Sequence, residues 1–384
     1  MFCVHCGEKV NTEGKFCTGC GIELLQPIFE GSFADGKNMY AGVVEELPIV
    51  SVPDQVKGTL LQATEKINAM VGEQGTIDVN LKDVFSAVFK KHDKEEGEML
   101  FIAGTSLTTP KESEISTSWP KPWLFSRIFL MLFLAYILLY ICVYEFQNTN
   151  AIPGLILVGS FAVPFSLLIF FWEMNAPRNI SIYETAKMFF IGGTASLVLT
   201  LILYSIFPVY HSVHGLDYTG AIIVGIVEEL GKLGVIIYFI KKLNPKFILN
   251  GLLIGATIGA GFAAFESAGY VFTAMEFEME AMISTIFLRA WTAVGTHIVW
   301  SGIAGAALVY VKGNNMLSSE HLLNTNFLKL FAIPVILHAV WDMPIHINDY
   351  FYILSFLLIG IAWVFIFTFI NAGLKQIGRL NING

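Results

Sequence analysis

The chain changes character at Trp123. Before it, apolar and polar residues mix over short distances. After it, eight long apolar runs follow one another, separated by brief polar breaks: residues 123–144, 152–172, 188–207, 219–240, 248–273, 288–311, 328–343 and 350–371. About 20 apolar residues in a helix cross a ~30 Å hydrocarbon core, so these runs predict transmembrane helices. Ala281–Trp291 reads either as part of the sixth run or as an interfacial preamble to it. Upstream, Val56–Val71 has helical periodicity, and Tyr40–Val44 and Leu47–Val52 read as short strands. The charged run Lys90–Glu98 predicts a solvated turn, and Thr108–Pro122, rich in Thr, Ser and Pro, a linker into the membrane.

Composition agrees. A chain of 384 residues that is 55% hydrophobic and 14% charged is not an ordinary soluble protein. Its net charge of −8 lies wholly in residues 1–120, which hold 18 acids and 10 bases. That acidic front half gives no footprint for nucleic acid. Opening on MFCVHC, the chain predicts no cleavable leader. Basic residues follow the even runs: Arg178 and Lys187, then Lys241, Lys242 and Lys246, then Lys312 and Lys329, with Lys375 and Arg379 in the tail. Loops after the first, third, fifth and seventh runs have none. The positive-inside rule predicts a multi-pass protein of the cell membrane with both termini cytosolic.

Four cysteines add a second element. Cys3 and Cys6, then Cys17 and Cys20, form two CxxC pairs, each followed by glycine (Gly7, Gly21). Two such turns complete a tetrahedral thiolate site, so a structural zinc ribbon is expected, closed to catalysis and folded by its metal. Reduced thiols suit a cytosolic N-terminus. Cys142, in an apolar run, reads as packing. The expected fold class is an all-α polytopic membrane protein of about eight transmembrane helices, with a small cytosolic zinc ribbon and a small α+β soluble module. Its divisions are ribbon 1–26, module 27–110, linker 111–122, membrane domain 123–373 and cytosolic tail 374–384.

Chemistry concentrates in the membrane. The fourth run carries Glu228, Glu229 and Lys232 at its middle, each costing at least ~2.5 kcal/mol to insert. Glu228 and Lys232 share a helix face and can pair, while Glu229 points about 100° away. A second VEEL, Val44–Leu47, is followed by Pro48 and lacks the lysine, so it reads as a loop. The fifth run places Gly251, Gly255 and Gly259 at four-residue spacing, continued by Ala263 and Ser267, a face that admits a close neighbour. Glu266 lies beside it. No strand precedes these glycines, which argues against a nucleotide loop. The sixth run holds His297, and the seventh His338 and Asp342 one turn apart. Ionisable groups on four runs predict one shared polar site inside the bundle.

Those residues resemble a known family. Glu228-Glu229-Leu-Gly-Lys232 fits EExxK, Phe262 to Glu266 fits FxxxE, His297 to Gly305 fits HxxxxxxxG, and His338 to Asp342 fits HxxxD. In this order, over roughly Trp172 to Ile370, they resemble the PrsW intramembrane proteases, themselves distantly similar to CAAX prenyl proteases. Ser267 departs from the asparagine that relatives often carry after FxxxE. The resemblance implies a peptidase acting on another membrane protein, such as a membrane-anchored anti-sigma factor, with Glu228 as general base. Lys232 would keep Glu228 ionised, Glu229 and Glu266 would share the water or its proton, and His297, His338 and Asp342 would polarise the scissile carbonyl. No serine, cysteine or threonine stands beside a suitable base, so a covalent nucleophile is not expected. Two alternatives stay open. The same residues are a zinc-binding set, giving a metalloprotease without an HExxH pair. A proton-coupled transporter or a silent scaffold also fits intramembrane carboxylates, although no inverted repeat is visible. The oligomeric state has no sequence signal.

The ribbon predicts one tightly held zinc per chain, measured by elemental analysis of purified protein. Changing Cys3, Cys6, Cys17 and Cys20 to serine should remove it; a chain that never carries this zinc contradicts the ribbon.

Overall fold

The computed structural model describes residues 52–77, 79–209, 216–345 and 352–383. The expected ribbon, residues 27–51 and both expected strands, apart from the final Val52, lie outside the described residues. Ten long helices organise the rest: α1 Val52–Met70, α2 Leu124–Tyr144, α3 Ile152–Met174, α4 Ile182–Ile206, α5 Tyr218–Leu243, α6 Ile248–Met275, α7 Met279–Thr292, α8 His297–Lys312, α9 Thr325–Asp342 and α10 Ile353–Asn383. Among the described residues no strand occurs. The described part of the expected α+β module, residues 52–110, is therefore helical.

Six helices are long and apolar enough to cross a membrane: α2, α3, α4, α6, the α7–α8 stretch Met279–Lys312, and α10. The two expected spans outside that group are α5 and α9. Glu228, Glu229 and Lys232 interrupt α5, while Lys329, His338 and Asp342 dilute the short α9. Both remain largely apolar, and the charged and polar residues they carry are what sets them apart from the other six. The preamble before His297 forms its own helix, α7, separated from α8 by Ala293–Thr296.

Two sequence expectations are corrected. Lys90–Glu98 is not a turn throughout: Lys94–Phe101 is helical, because the Asp93 carboxylate accepts from the Glu96 N–H at 2.8 Å and Glu95 and Glu96 favour the positive helix start. The linker is held down rather than free. Glu112 pairs with Lys246 at 2.7 Å, and the Ile115 carbonyl accepts from Asn381.

The N-terminus of α2 is capped from another helix. Glu173, at the end of α3, accepts the backbone N–H groups of Trp123, Leu124 and Phe125 at 2.8, 2.9 and 2.9 Å. A buried carboxylate is tolerable there because it satisfies three orphan donors at the positive end of the dipole.

The centre of the bundle is α6, buried without a break from Ile248 to Ala264, whereas α2 exposes Phe129, Leu134 and Leu138 on the side lipid would cover. Its glycine face packs on α8 backbone to backbone. A Cβ at Gly255 would collide with the Ser301 carbonyl, one at Gly259 with the His297 carbonyl, and one at Gly305 with the Gly251 carbonyl. The small-residue face and the glycine that ends HxxxxxxxG are thus the two sides of one seam, which draws His297 inward.

Gly255→Val should force this seam apart and cost about 1–3 kcal/mol, the usual penalty of overpacking, read as a lower melting temperature in detergent. Gly269→Val is the control, since a Cβ at Gly269 has nothing within 4 Å. Equal melting of the two variants would contradict the packing.

Candidate active site

Helix α5 is delimited by side chains at both ends. Asp217 caps its start by accepting from Gly220 N–H at 2.6 Å, and Asn244 ends it in the left-handed region with φ 41°. Lys241 and Lys242 fill the last turn, where the dipole is negative. Between these ends Gly225 lies against the backbone of Ala339, 2.8 Å from its nitrogen to an added Cβ, so α5 and α9 meet closely. That contact turns Glu228, Glu229 and Lys232 towards α6, α8 and α9.

Lys232 is the hub. It is 0% exposed and its Nζ donates to Glu229 Oε1 at 2.6 Å and to His297 Nδ1 at 2.9 Å. The Phe262 ring lies under the ammonium at 4.5 Å, a cation–π contact. An ammonium can only donate, so His297 Nδ1 accepts and its ring proton sits on Nε2. That nitrogen faces Glu266 Oε2 at 3.1 Å. Glu229 Oε1 also takes His338 Nδ1 at 2.8 Å, which leaves His338 Nε2 facing Glu228 Oε2 at 3.7 Å and Asp342 Oδ2 at 3.4 Å. Trp300 stacks on the His338 ring with centroids 4.6 Å apart and fixes its plane.

Among the described residues Oε2 of both Glu228 and Glu229 is buried without a hydrogen-bond partner, and of the two carboxylates it is Glu228 that lines a cavity. Its Oε1 accepts from the Tyr204 hydroxyl at 3.1 Å, but its buried Oε2 has no hydrogen-bond partner. Lys232 Nζ and His297 Nδ1 each lie 3.9 Å from that oxygen. A buried polar atom without a partner is costly and normally reserved for water, an ion or chemistry. The Glu228 side chain lines a cavity of about 550 Å³ that also reaches Glu266, His297, His338 and Asp342, with Thr200, Tyr204 and Tyr270 on its wall.

All seven residues singled out in the sequence meet here. Glu229 is engaged by Lys232 and His338, and Glu266 by His297 and Arg289, while Glu228 lines the cavity and takes its one side-chain hydrogen bond from Tyr204. Tyr204, Arg289 and Trp300 were not anticipated. Arg289 pairs with Glu266, donates to Ser267 Oγ at 3.0 Å and lies over the Tyr270 ring. The serine that departs from the family pattern therefore has a partner. An arginine near the start of an apolar run was the available signal; Tyr204 gave none.

Glu228, His297 and His338 each offer a ligand atom within 4.8 Å of the others. Ligand atoms about 2.0–2.2 Å from zinc in a tetrahedron stand about 3.4 Å apart, so the cluster would have to draw in to hold an ion, and two imidazoles with a carboxylate are a known catalytic zinc set. Against occupation stands Lys232, whose ammonium engages His297 Nδ1 and would face the cation directly.

Taken together, the helices and the site define a polytopic membrane protein with a buried acid–base cluster opening into a polar cavity. Residues 182–370 match the model of the PrsW-protease family, described as PrsW family intramembrane metalloprotease, and this match supports a membrane protease of the PrsW family. No curated protein and no solved structure matches the chain.

Lys232→Met should be strongly destabilising, by about 3–5 kcal/mol, because it strands the buried Glu229 carboxylate. Adding Glu229→Gln should recover part of the loss. Thermal unfolding in detergent of the two single variants and the double variant measures the coupling; additive effects would contradict the hub.

Proposed function

We propose that the chain is an intramembrane endopeptidase that hydrolyses a peptide bond in another membrane protein with a water activated by Glu228. The observation that carries this reading is Glu228 itself, which lines the polar cavity and keeps a buried Oε2 without a hydrogen-bond partner beside two imidazoles and an ammonium. Peptide hydrolysis needs a base for water, donors for the developing oxyanion and a proton for the leaving amine. Glu228 takes the proton from water, with Lys232 Nζ 3.9 Å from its Oε2. His338, oriented by Glu229 and stacked on Trp300, presents Nε2 to the cavity between Glu228 and Asp342, where a proton can pass to the leaving nitrogen. His297 presents its Nε2–H on the opposite side, held by Glu266, which Arg289 anchors.

The second reading is metallo-type, favoured by the Glu228, His297 and His338 cluster and by the matched family's description. Those three side chains would hold the ion, which would supply a Lewis acid for the carbonyl and an acidified water. Lys232 would then have to release His297.

The topology of the whole chain supports eight spans and a site in the outer half of the bilayer. Glu228 lies in the first half of α5, Glu266 in the last part of α6, His297 opens α8 and Asp342 closes α9, so four helix directions bring the residues to one end of the bundle. By the loop charges that end is extracytoplasmic, with both termini cytosolic and cleavage near the substrate's outer membrane edge.

Membrane-protein fragments in cells carrying the natural chain should disappear with Glu228→Ala while the protein itself persists; unchanged fragments would remove the peptidase reading. Metal analysis separates the types. A second zinc that survives loss of the four ribbon cysteines and vanishes with His297→Ala or His338→Ala marks the metallo-type. Its absence from active protein marks the Glu-activated type.

A further inference from the structure

We infer that the seam between α4 and α5 is the docking surface for an apolar transmembrane segment of the substrate, a reading that rests on the proposed peptidase. At its inner end the seam is closed by close packing. A Cβ at Gly231 would collide with Thr200 Oγ1, and one at Gly234 would come within 2.6 Å of Leu199. Towards the end that carries the site, the helices part around two cavities. One is the polar cavity beside Glu228, to which α4 turns Leu197, Thr200 and Tyr204, and α5 turns Val224 and Glu228. The other, about 420 Å³, lies on the adjacent faces of the same helices and is lined by Leu203, Ile206 and Phe207 with Ile223, Ile226 and Leu230.

Every residue around the second cavity is apolar, and Ile206, Phe207, Ile226 and Leu230 are exposed. The two cavities share Pro208 in their walls. Among the described residues, the side-chain hydrogen bond that crosses the seam is the one from Tyr204 to Glu228. An apolar segment in the outer groove therefore lies one helix face away from the unpartnered carboxylate oxygen. Its polar end reaches Glu228 by displacing one hydroxyl, without separating the glycine-packed half of the seam. A second apolar hollow, about 500 Å³ between α2, α3 and α7, is lined by Phe129, Phe133 and Tyr136, and shares no residue with the polar cavity. Greasiness alone thus does not choose between the hollows; continuity with the site does. The groove has no charge or hydrogen-bonding group for a lipid headgroup, and its place beside the site suits a peptide that continues into polar chain.

The test uses the full chain in phosphatidylcholine vesicles, with a photoreactive benzoylphenylalanine at Ile226 or, as control, at Phe133. The probe is a biotin-tagged single-span peptide of alternating leucine and alanine. The docking surface predicts peptide adducts several-fold more abundant at Ile226 than at Phe133. Equal yields overturn it, as do adducts at Ile226 that contain only phospholipid or only a second copy of the chain. A second arm follows the Glu228-dependent fragments in cells. Ile226→Trp fills the groove and should reduce them about tenfold, the worth of one lost apolar contact, while Phe133→Trp leaves them unchanged. Fragments equal in both variants overturn the docking surface and leave the peptidase standing. If the natural chain makes no such fragments, the peptidase reading falls and the adduct yields alone decide the docking.

Discussion

One buried ammonium sets the terms for the rest of the bundle. Lys232 has no water to solvate it, so its charge must be met by protein: Glu229 in front, His297 at the side and the face of Phe262 beneath. Each partner comes from a different place, on α5 itself, α8 and α6. Without these approaches the charge would stand alone in a medium where its solitary cost is several kcal/mol. The same contacts fix more than charge. Lys232 decides the His297 tautomer, and Glu229 Oε1 holds both Lys232 and His338, which sets His338 Nε2 towards Glu228 and Asp342.

Side chains as short as glutamate and histidine meet only if the helices bearing them nearly touch. That is the use of the small residues. Gly255, Gly259 and Gly305 bring α6 and α8 together at their backbones, Gly225 admits α9 to α5, and Gly231 admits Thr200 of α4. Without a hydrophobic force between helices in lipid, close contact of this kind is a main source of association. Packing and chemistry therefore depend on one another: the glycines place the cluster, and the cluster's ion pairs cross-link the helices the glycines have brought close.

Much of this was legible in the chain. The apolar runs mark where helices form after Trp123, six of them among the described residues long and apolar enough to cross a membrane, and the ionisable groups of four runs meet, because helix periodicity and the expense of buried charge are local properties. What escaped depends on partners far apart in sequence. Glu173 caps a helix whose start lies 48 to 50 residues earlier, so nothing near it announces the role. Tyr204 looks like any interfacial tyrosine until α4 packs beside Glu228. The pairing of Glu266 with Arg289, on the helix before His297, likewise joins residues 23 apart and, as a pairing, had no local sign. Lys94–Phe101 was missed because charge density hid a capped helix start.

The account stands on water reaching Glu228 from one side while the surrounding helices stay dry. A sealed cluster with the same contacts would be a structural clasp and nothing more. Single cysteines at Leu201, Tyr270 and Trp341, all on the cavity wall, in a background with Cys3, Cys6, Cys17, Cys20 and Cys142 changed to serine, report this directly. A membrane-impermeant thiol reagent added to intact cells should label all three from outside. Labelling only from the cytosolic side, or from neither side, would contradict the account.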